Sequence, residues 1–249
     1  MARVRIIPVL LLDKGGVYKT VKFKNPVYIG DPINAVKIFN EKFADEILLL
    51  DYTASAEKRP IDFKKIAEIA GEAFMPMAYG GGIKNFTDAK KVFDAGFEKV
   101  VLNTALFSNI NVVNEIASVY GAQSVVASID VKKNILGKSR VFNKAGQAIS
   151  KKEPADWARE LTRAGAGEII INSVDKDGTW SGYDLPLIQE IAQSVSVPVV
   201  ACGGASSVDD LRRAIEAGAS AVAAGSMFVF QKKGMGVLIN FPSDQIRIN

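Results

Sequence analysis

A (β/α)8 barrel assembled from two similar halves is the fold this chain of 249 residues predicts, and three observations predict it. Short apolar runs bounded by turn residues recur eight times, segments of helical periodicity separate most of them, and the second half of the chain echoes the first at a constant spacing.

The first run, Ile6 to Leu12, follows Arg3 and Arg5 and so imitates a secretion signal. Asp13 and Lys14 follow at once without a small-residue cleavage site, and the run reads as a buried strand. A helical stretch from Ile33 to Phe43 leads to the second run, Ile47 to Leu50. Helix Phe63 to Ala73 leads to the third, Phe74 to Ala78, and helix Asp88 to Ala95 to the fourth, Val100 to Leu102. After the periodic segment Val112 to Tyr120 the pattern restarts with strand Val125 to Ile129 and helix Pro154 to Ala164. Strand Ile169 to Ile171, helix Leu187 to Ser194, strand Val197 to Ala201, helix Val208 to Ala217 and strand Ala221 to Ala224 complete it. Apolar runs this short and unbroken are typical of parallel strands buried on both faces.

The restart is visible in the letters. ADEILLL (Ala44 to Leu50) parallels AGEIIIN (Ala166 to Asn172), and GGIKNFTDAKKVFDAG (Gly81 to Gly96) parallels GGASSVDDLRRAIEAG (Gly203 to Gly218); both pairs lie 122 residues apart, from 44 to 166 and from 81 to 203. The chain is therefore expected to be one barrel over 1–249, with half-barrels of about 1–122 and 123–249. Gly234, Gly236 and Pro242 argue against an ordinary eighth helix, so 230–249 should form an irregular tail.

Composition excludes several functions. With 48% apolar and 23% charged residues the chain is ordinarily globular, and a net charge of +4 without Lys/Arg blocks suits phosphorylated metabolites better than nucleic acid. The chain has no histidine, which removes His-based nucleophile systems and leaves carboxylates, Lys, Tyr and backbone dipoles for proton transfer. The single Cys202 can form no internal disulfide, which points to the cytosol; no metal or cofactor is expected, and no run reaches the length of a membrane span.

Strand ends in this fold present their C-terminal loops to the ligand, and glycine there lets backbone N–H groups approach an anion. Gly80, Gly81 and Gly82, with Asn103 and Thr104 on the next strand end, form one such pair of loops. Gly203 and Gly204, with Gly225 and Ser226, form its counterpart in the second half. Two equivalent anion sites across one mouth would suit a ligand with a phosphate at each end; relief of turn strain is the competing explanation for the glycines.

Several segments together resemble the cyclase subunit of imidazole glycerol phosphate synthase, the HisF family, over nearly the whole chain. They are RIIP (Arg5 to Pro8), GDPINAVKIFNEKFADEILLLDYTAS (Gly30 to Ser55), YGGGI (Tyr79 to Ile83), LNTA (Leu102 to Ala105), SIDVKK (Ser128 to Lys133), GAGEI (Gly165 to Ile169), DKDGTWSGYDL (Asp175 to Leu185) and GGA (Gly203 to Ala205). The resemblance implies a bisphosphorylated ribulosyl substrate at the C-terminal face and ammonia passed through the barrel from a glutaminase docked at the other end. It also implies a pair of aspartates, at the ends of strands 1 and 5, acting as general acid and base. Asp130 matches the strand 5 position. The strand 1 position is Leu11, which can neither accept nor donate a proton, and aligning Val9 to Leu11 with Ser128 to Asp130 sets Leu11 opposite Asp130. Asp13 is a weak substitute, two residues and about 6 to 7 Å further along the strand.

The same resemblance assigns Lys19 and Phe23 to a substrate-closing loop after strand 1. Asp51, Asp175 and Asp177 stand at strand ends in family positions, Asp177 among the phosphate-binding set, although Asx-turn capping would also explain them. Arg5, Glu46, Lys99 and Glu168 each stand just before an apolar run. Their position alone suggests solvated rim charges, whereas the family match implies a salt-bridged ammonia gate, with Asp45, Glu98 and Lys99 near the glutaminase-facing surface.

IIPVLLLDKGG and VKFKNPVYIGDPINAVKIFNEK are most similar to cyclase-like members encoded with sugar-modifying genes for bacterial surface polysaccharides. That subgroup implies an ammonia-handling barrel paired with a glutaminase and a sugar-amidating enzyme that makes an acetamidino group. The alternatives are a true cyclase-lyase of histidine biosynthesis and a related phosphoribosyl isomerase, whose chemistry would also need the missing carboxylate.

Overall fold

A computed structural model describes residues 4–241. Its strands are β1 (Arg5–Asp13), β2 (Gly16–Val21), β3 (Lys24–Gly30), β4 (Ile47–Asp51), β5 (Met77–Gly80), β6 (Lys99–Leu102), β7 (Val125–Lys133), β8 (Ser139–Asn143), β9 (Ala148–Ile149), β10 (Glu168–Ser173), β11 (Val199–Cys202) and β12 (Ala221–Ala224). Strands β1, β4, β5, β6, β7, β10, β11 and β12 pair in parallel in that order, and β12 returns to β1, closing the barrel. In this ring β1 and β7 stand diametrically opposite one another.

Helices pack outside: α1 (Pro32–Glu41), α3 (Phe63–Ala70), α4 (Phe86–Asp94), α5 (Asn111–Tyr120), α6 (Pro154–Arg163), α7 (Leu185–Ser194) and α8 (Val208–Glu216), with short turns α2 (Ala54–Glu57) and α9 (Ser226–Val229). Their starts are written locally. Asp31, Asp62, Asn85, Asp184 and Ser207 each accept a backbone N–H of the first turn, and Pro32 and Pro154 supply a fixed φ where no N–H partner is needed.

Alternation along each strand splits the core in two. On β1, Ile6, Leu10 and Leu12 face the helices, while Ile7 and Val9 join Leu48, Ala78, Val101, Val126, Ile170, Val200, Ala221 and Ala223 in a separate cluster filling the lumen. The same period carries each inward face from one barrel end to the other: Arg5, Ile7, Val9, Leu11; Glu46, Leu48, Leu50; Lys99, Val101, Asn103; Glu168, Ile170, Asn172. Charges at the bottom and ligand-facing groups at the top therefore share strands and differ only in height.

Three sequence expectations need correction. The third barrel strand spans Met77–Gly80 rather than 74 to 78, because Pro76 lacks an N–H for the ladder and Phe74 is tied by its N–H to Asn40 Oδ1 at 2.9 Å. The strand expected at 197 to 201 likewise begins after Pro198, at Val199–Cys202. The expected loop after strand 1 is instead the hairpin β2–β3, entered through Lys14 and Gly15, both at positive φ as a type I′ turn requires. A second hairpin, β8–β9, extends β7.

After α9 the described residues 230–241 form no helix. This segment is anchored by a Phe230–Val237 bridge and by Phe241, which packs on Phe39 and Phe228; Pro242 and the rest of the tail lie outside the described residues. Among the described residues no helix is long and apolar enough to cross a membrane.

Candidate functional site

The C-terminal mouth holds a two-lobed cleft. The larger lobe is lined by Gly81, Gly82, Asn103, Thr104 and Asp130, the smaller by Gly203, Gly204, Gly225, Ser226 and Lys19, and Val9, Leu11, Asp177 and Cys202 line both. The structure thus brings each expected glycine pair together and sets the two pairs in adjoining lobes. Packing alone demands some of these glycines: at Gly81 (φ 112°) a Cβ would strike Asp51 O, and at Gly204 (φ 108°) it would strike Gly182 O.

Asp130 projects from β7 and is held on both oxygens, by Asn172 Nδ2 at 2.9 Å and Asn103 Nδ2 at 3.0 Å. Burial pushes its pKa up to about 6, against the pull of Asn172, Lys144 and Asn103. Among the described residues Asn172 Oδ1 has no hydrogen-bond partner. Ionised Asp130 therefore costs stability at neutral pH, and the cost fades as pH falls from about 6 toward the ordinary carboxylate range. Asp130→Asn should stabilise the fold by about 2 to 3 kcal/mol at pH 7.5, with a flipped Asn172 amide presenting its free oxygen to the new N–H, and by less at pH 5. Urea unfolding at the two pH values checks this; a variant less stable than wild type at pH 7.5 would refute it.

Leu11 faces inward on the wall opposite Asp130, so the mouth has one of the expected pair of proton-transfer groups. Asp13 does not replace the other. Its carboxylate lies outside the cleft, where it accepts from Thr53 Oγ1 at 2.7 Å and pairs with Arg59 at 3.3 Å. Asp51 accepts Ala54 N–H at 3.0 Å and pairs with Arg59, and Asp175 accepts Lys133 N–H at 2.8 Å, so both act as loop caps. Asp177 sits at the junction of the lobes, where burial raises its pKa against Lys19 and its bond from Thr20 Oγ1.

Lys19 is 4% exposed, and its ammonium donates to Val9 O beside Gly225. Burial lowers its pKa to about 8, partly offset by Asp177. Cys202 is pushed up to about 12, first by burial and then by Asp177, and is an inert thiol. Sequence reasoning missed Lys144, which follows β8 and lines the larger lobe. Its pKa too is lowered by burial to about 8. A Lys in an unrecognised hairpin carries no periodic signal, and only recognising the hairpin would have exposed it.

At the opposite end four side chains close a ring. Lys99 Nζ lies 3.0 Å from Glu46 and 2.9 Å from Glu168, and Arg5 pairs with both glutamates. Burial alone would lower the Arg5 pKa, but the two carboxylates hold it above its ordinary value. The neighbouring surface groups are anchored: Asp45 accepts Ile6 N–H at 3.0 Å and Glu98 accepts Met77 N–H at 2.7 Å.

A closed parallel barrel with glycine loops at its C-terminal mouth and a neutral ion ring at its base defines the class: a (β/α)8 barrel whose candidate site lies at the C-terminal ends of its strands. Comparison with known proteins narrows the class. The family described as histidine biosynthesis protein matches residues 5–233. A Pseudomonas aeruginosa protein provisionally named imidazole glycerol phosphate synthase subunit hisF2 is 51% identical over 243 residues, covering 97% of each chain. One from Vibrio vulnificus, provisionally named subunit hisF3, is 44% identical over 98% of this chain and 94% of its own. Imidazole glycerol phosphate synthase subunit HisF of Alkaliphilus metalliredigens is 40% identical over 92% of this chain and 91% of its own. The chain belongs to the histidine biosynthesis protein family and, within it, to the HisF family.

Proposed function

We propose that this HisF-family barrel receives ammonia from a glutaminase docked at the ion-ring end and delivers it for amidation of a surface-polysaccharide sugar to an acetamidino group, with little cyclase activity of its own. The observation that carries this reading is Leu11: the mouth lacks the carboxylate opposite Asp130 while the ring of Arg5, Glu46, Lys99 and Glu168 at the far end is whole. Between them the lumen is apolar and partly lined by small residues, Ala78, Ala221 and Ala223, which suits a small neutral passenger and excludes ions. The relatives named hisF2 and hisF3 are consistent with a role apart from a first copy.

Docking at the ring end has support in exposed apolar side chains that precede barrel strands there: Phe74 is 91% exposed, Phe43 80% and Val119 64%. Mixed with its glutaminase and a sugar-amidating enzyme, the chain should be required for glutamine-dependent amidation. Phe74→Asp should weaken glutaminase binding by at least about 10-fold while amidation driven by added ammonium continues. Equal glutamine-dependent amidation without this chain, or a glutaminase seated on the hairpin end, would sink the reading. The second reading, a cyclase-lyase making imidazole glycerol phosphate, is favoured by the doubly held Asp130 in the larger of two anion-suited lobes; ordinary cyclase turnover by wild type would establish it.

A further inference from the structure

The opposed strands β1 and β7 each run nine residues and continue past the rim into an antiparallel hairpin. Each hairpin returns one lysine to the mouth, Lys19 buried and Lys144 half-buried, and the two cross over. Lys19, from the first half of the chain, enters the lobe of the second-half loops at Gly203, Gly204, Gly225 and Ser226. Lys144, from the second half, enters the lobe of the first-half loops at Gly81, Gly82, Asn103 and Thr104.

We propose that Lys144 is the anion-binding cation of the larger lobe, the counterpart of Lys19 in the smaller one. This rests on the reading of a phosphorylated ligand at the mouth and adds the residue that recognises its second charge.

The two ammonium groups are held alike. Lys144 Nζ donates to Tyr52 O at 2.5 Å as Lys19 Nζ donates to Val9 O, and among the described residues neither lies within 4 Å of a carboxylate. An ammonium has three donors and a single carbonyl uses one of them, which leaves donors on each lysine open to an anion in the cleft. Asp130, Asp177, Asp51 and Asp13 act on Lys144 from longer range, yet burial outweighs them. A bound anion would reverse that balance.

The setting of Lys144 is built. Its ammonium sits over the rings of Tyr52, 4.3 Å from the centroid, and Phe23, 4.7 Å away. Phe23 occupies that place at φ 61° beside Lys22 at φ 53°, a left-handed pair that large side chains rarely adopt. The middle of the cleft is apolar at Val9, Leu48, Leu50 and Val101, beside Asp130 and its two asparagines.

The test uses inorganic phosphate titrated into the full chain at pH 7, with the amide resonances of Gly82 and Gly204 reading the two lobes separately. Both should move in wild type. Lys144→Met keeps the apolar stem between the rings and removes the charge; it should weaken phosphate at Gly82 by about 10- to 100-fold and leave Gly204 within about 2-fold, and Lys144→Arg should restore most of the loss. Lys19→Met should show the reciprocal pattern. Unchanged phosphate affinity at Gly82 in Lys144→Met would overturn the proposal and leave Lys144 as a staple between hairpins. Wild-type protein that shows phosphate at neither lobe would overturn the phosphorylated-ligand reading as well.

Discussion

Leu11→Asp should raise turnover of the bisphosphorylated ribulosyl substrate with ammonium by about 10²- to 10⁴-fold over the wild-type background, the range a positioned proton-transfer group contributes. The backbone already presents this position correctly. Leu11 pairs with Leu50 on β4 and Tyr18 on β2, points inward with Ile7 and Val9, and lines both lobes of the cleft. Because β1 and β7 face each other across the barrel, a carboxylate at this Cα meets the ligand from the side opposite Asp130. The two acids would differ in role: Asp130 is raised to about 6 by burial, whereas a carboxylate near the Lys19 ammonium would stay ionised. Steady-state assays with ammonium in place of glutamine check this, and Leu11→Asp combined with Asp130→Asn should fall back to background. Wild-type turnover near the ordinary enzyme median of about 10 s⁻¹ would show that another group already does this work.

The barrel was legible because its signal is local and repeated: unbroken apolar runs, helical spacing between them and the echo across 122 residues, from 44 to 166. The ion ring was legible as position but not as contact. Arg5, Glu46, Lys99 and Glu168 all precede inward-facing runs, yet closure depends on barrel curvature bringing residues 41 to 163 positions apart within hydrogen-bond reach. The hairpins were hidden for the opposite reason. In the first, Lys14, Lys22 and Phe23 take left-handed turn positions without the usual turn letters, and in both hairpins the pairing depends on β1 and β7 running on past the barrel rim. With the hairpins went Lys144. Asp13 shows the complementary failure: strand alternation sets it on the inward side, but it stands at the turn, where Arg59 and Thr53 offer stronger partners than the cleft does.

Removing one member of the ion ring should be costly for reasons that separate a gate from a rim. Glu46 and Glu168 are only 4% and 5% exposed, and each shares both cations. Lys99→Ala leaves two buried carboxylates facing one guanidinium. Breaking a fully buried pair costs about 3 to 5 kcal/mol. Here the lysine side chain is 19% exposed and water can enter behind it, so about 2 to 3 kcal/mol is expected, a fall in Tm of about 4 to 12 °C for a chain of this size. Because the charges are desolvated, the loss should persist in 0.5 M salt, where a solvated rim pair would already be screened. Adding Glu46→Gln to Lys99→Ala restores one cation to one anion, Arg5 to Glu168, so the double variant should be more stable than Lys99→Ala alone. On the proposed gate role, Lys99→Ala should also loosen the coupling of glutamine hydrolysis to amidated product while the glutaminase still docks. A Lys99→Ala variant within about 0.5 kcal/mol of wild type, with coupling intact, would mean that these four residues are surface charges and would overturn the proposed gate.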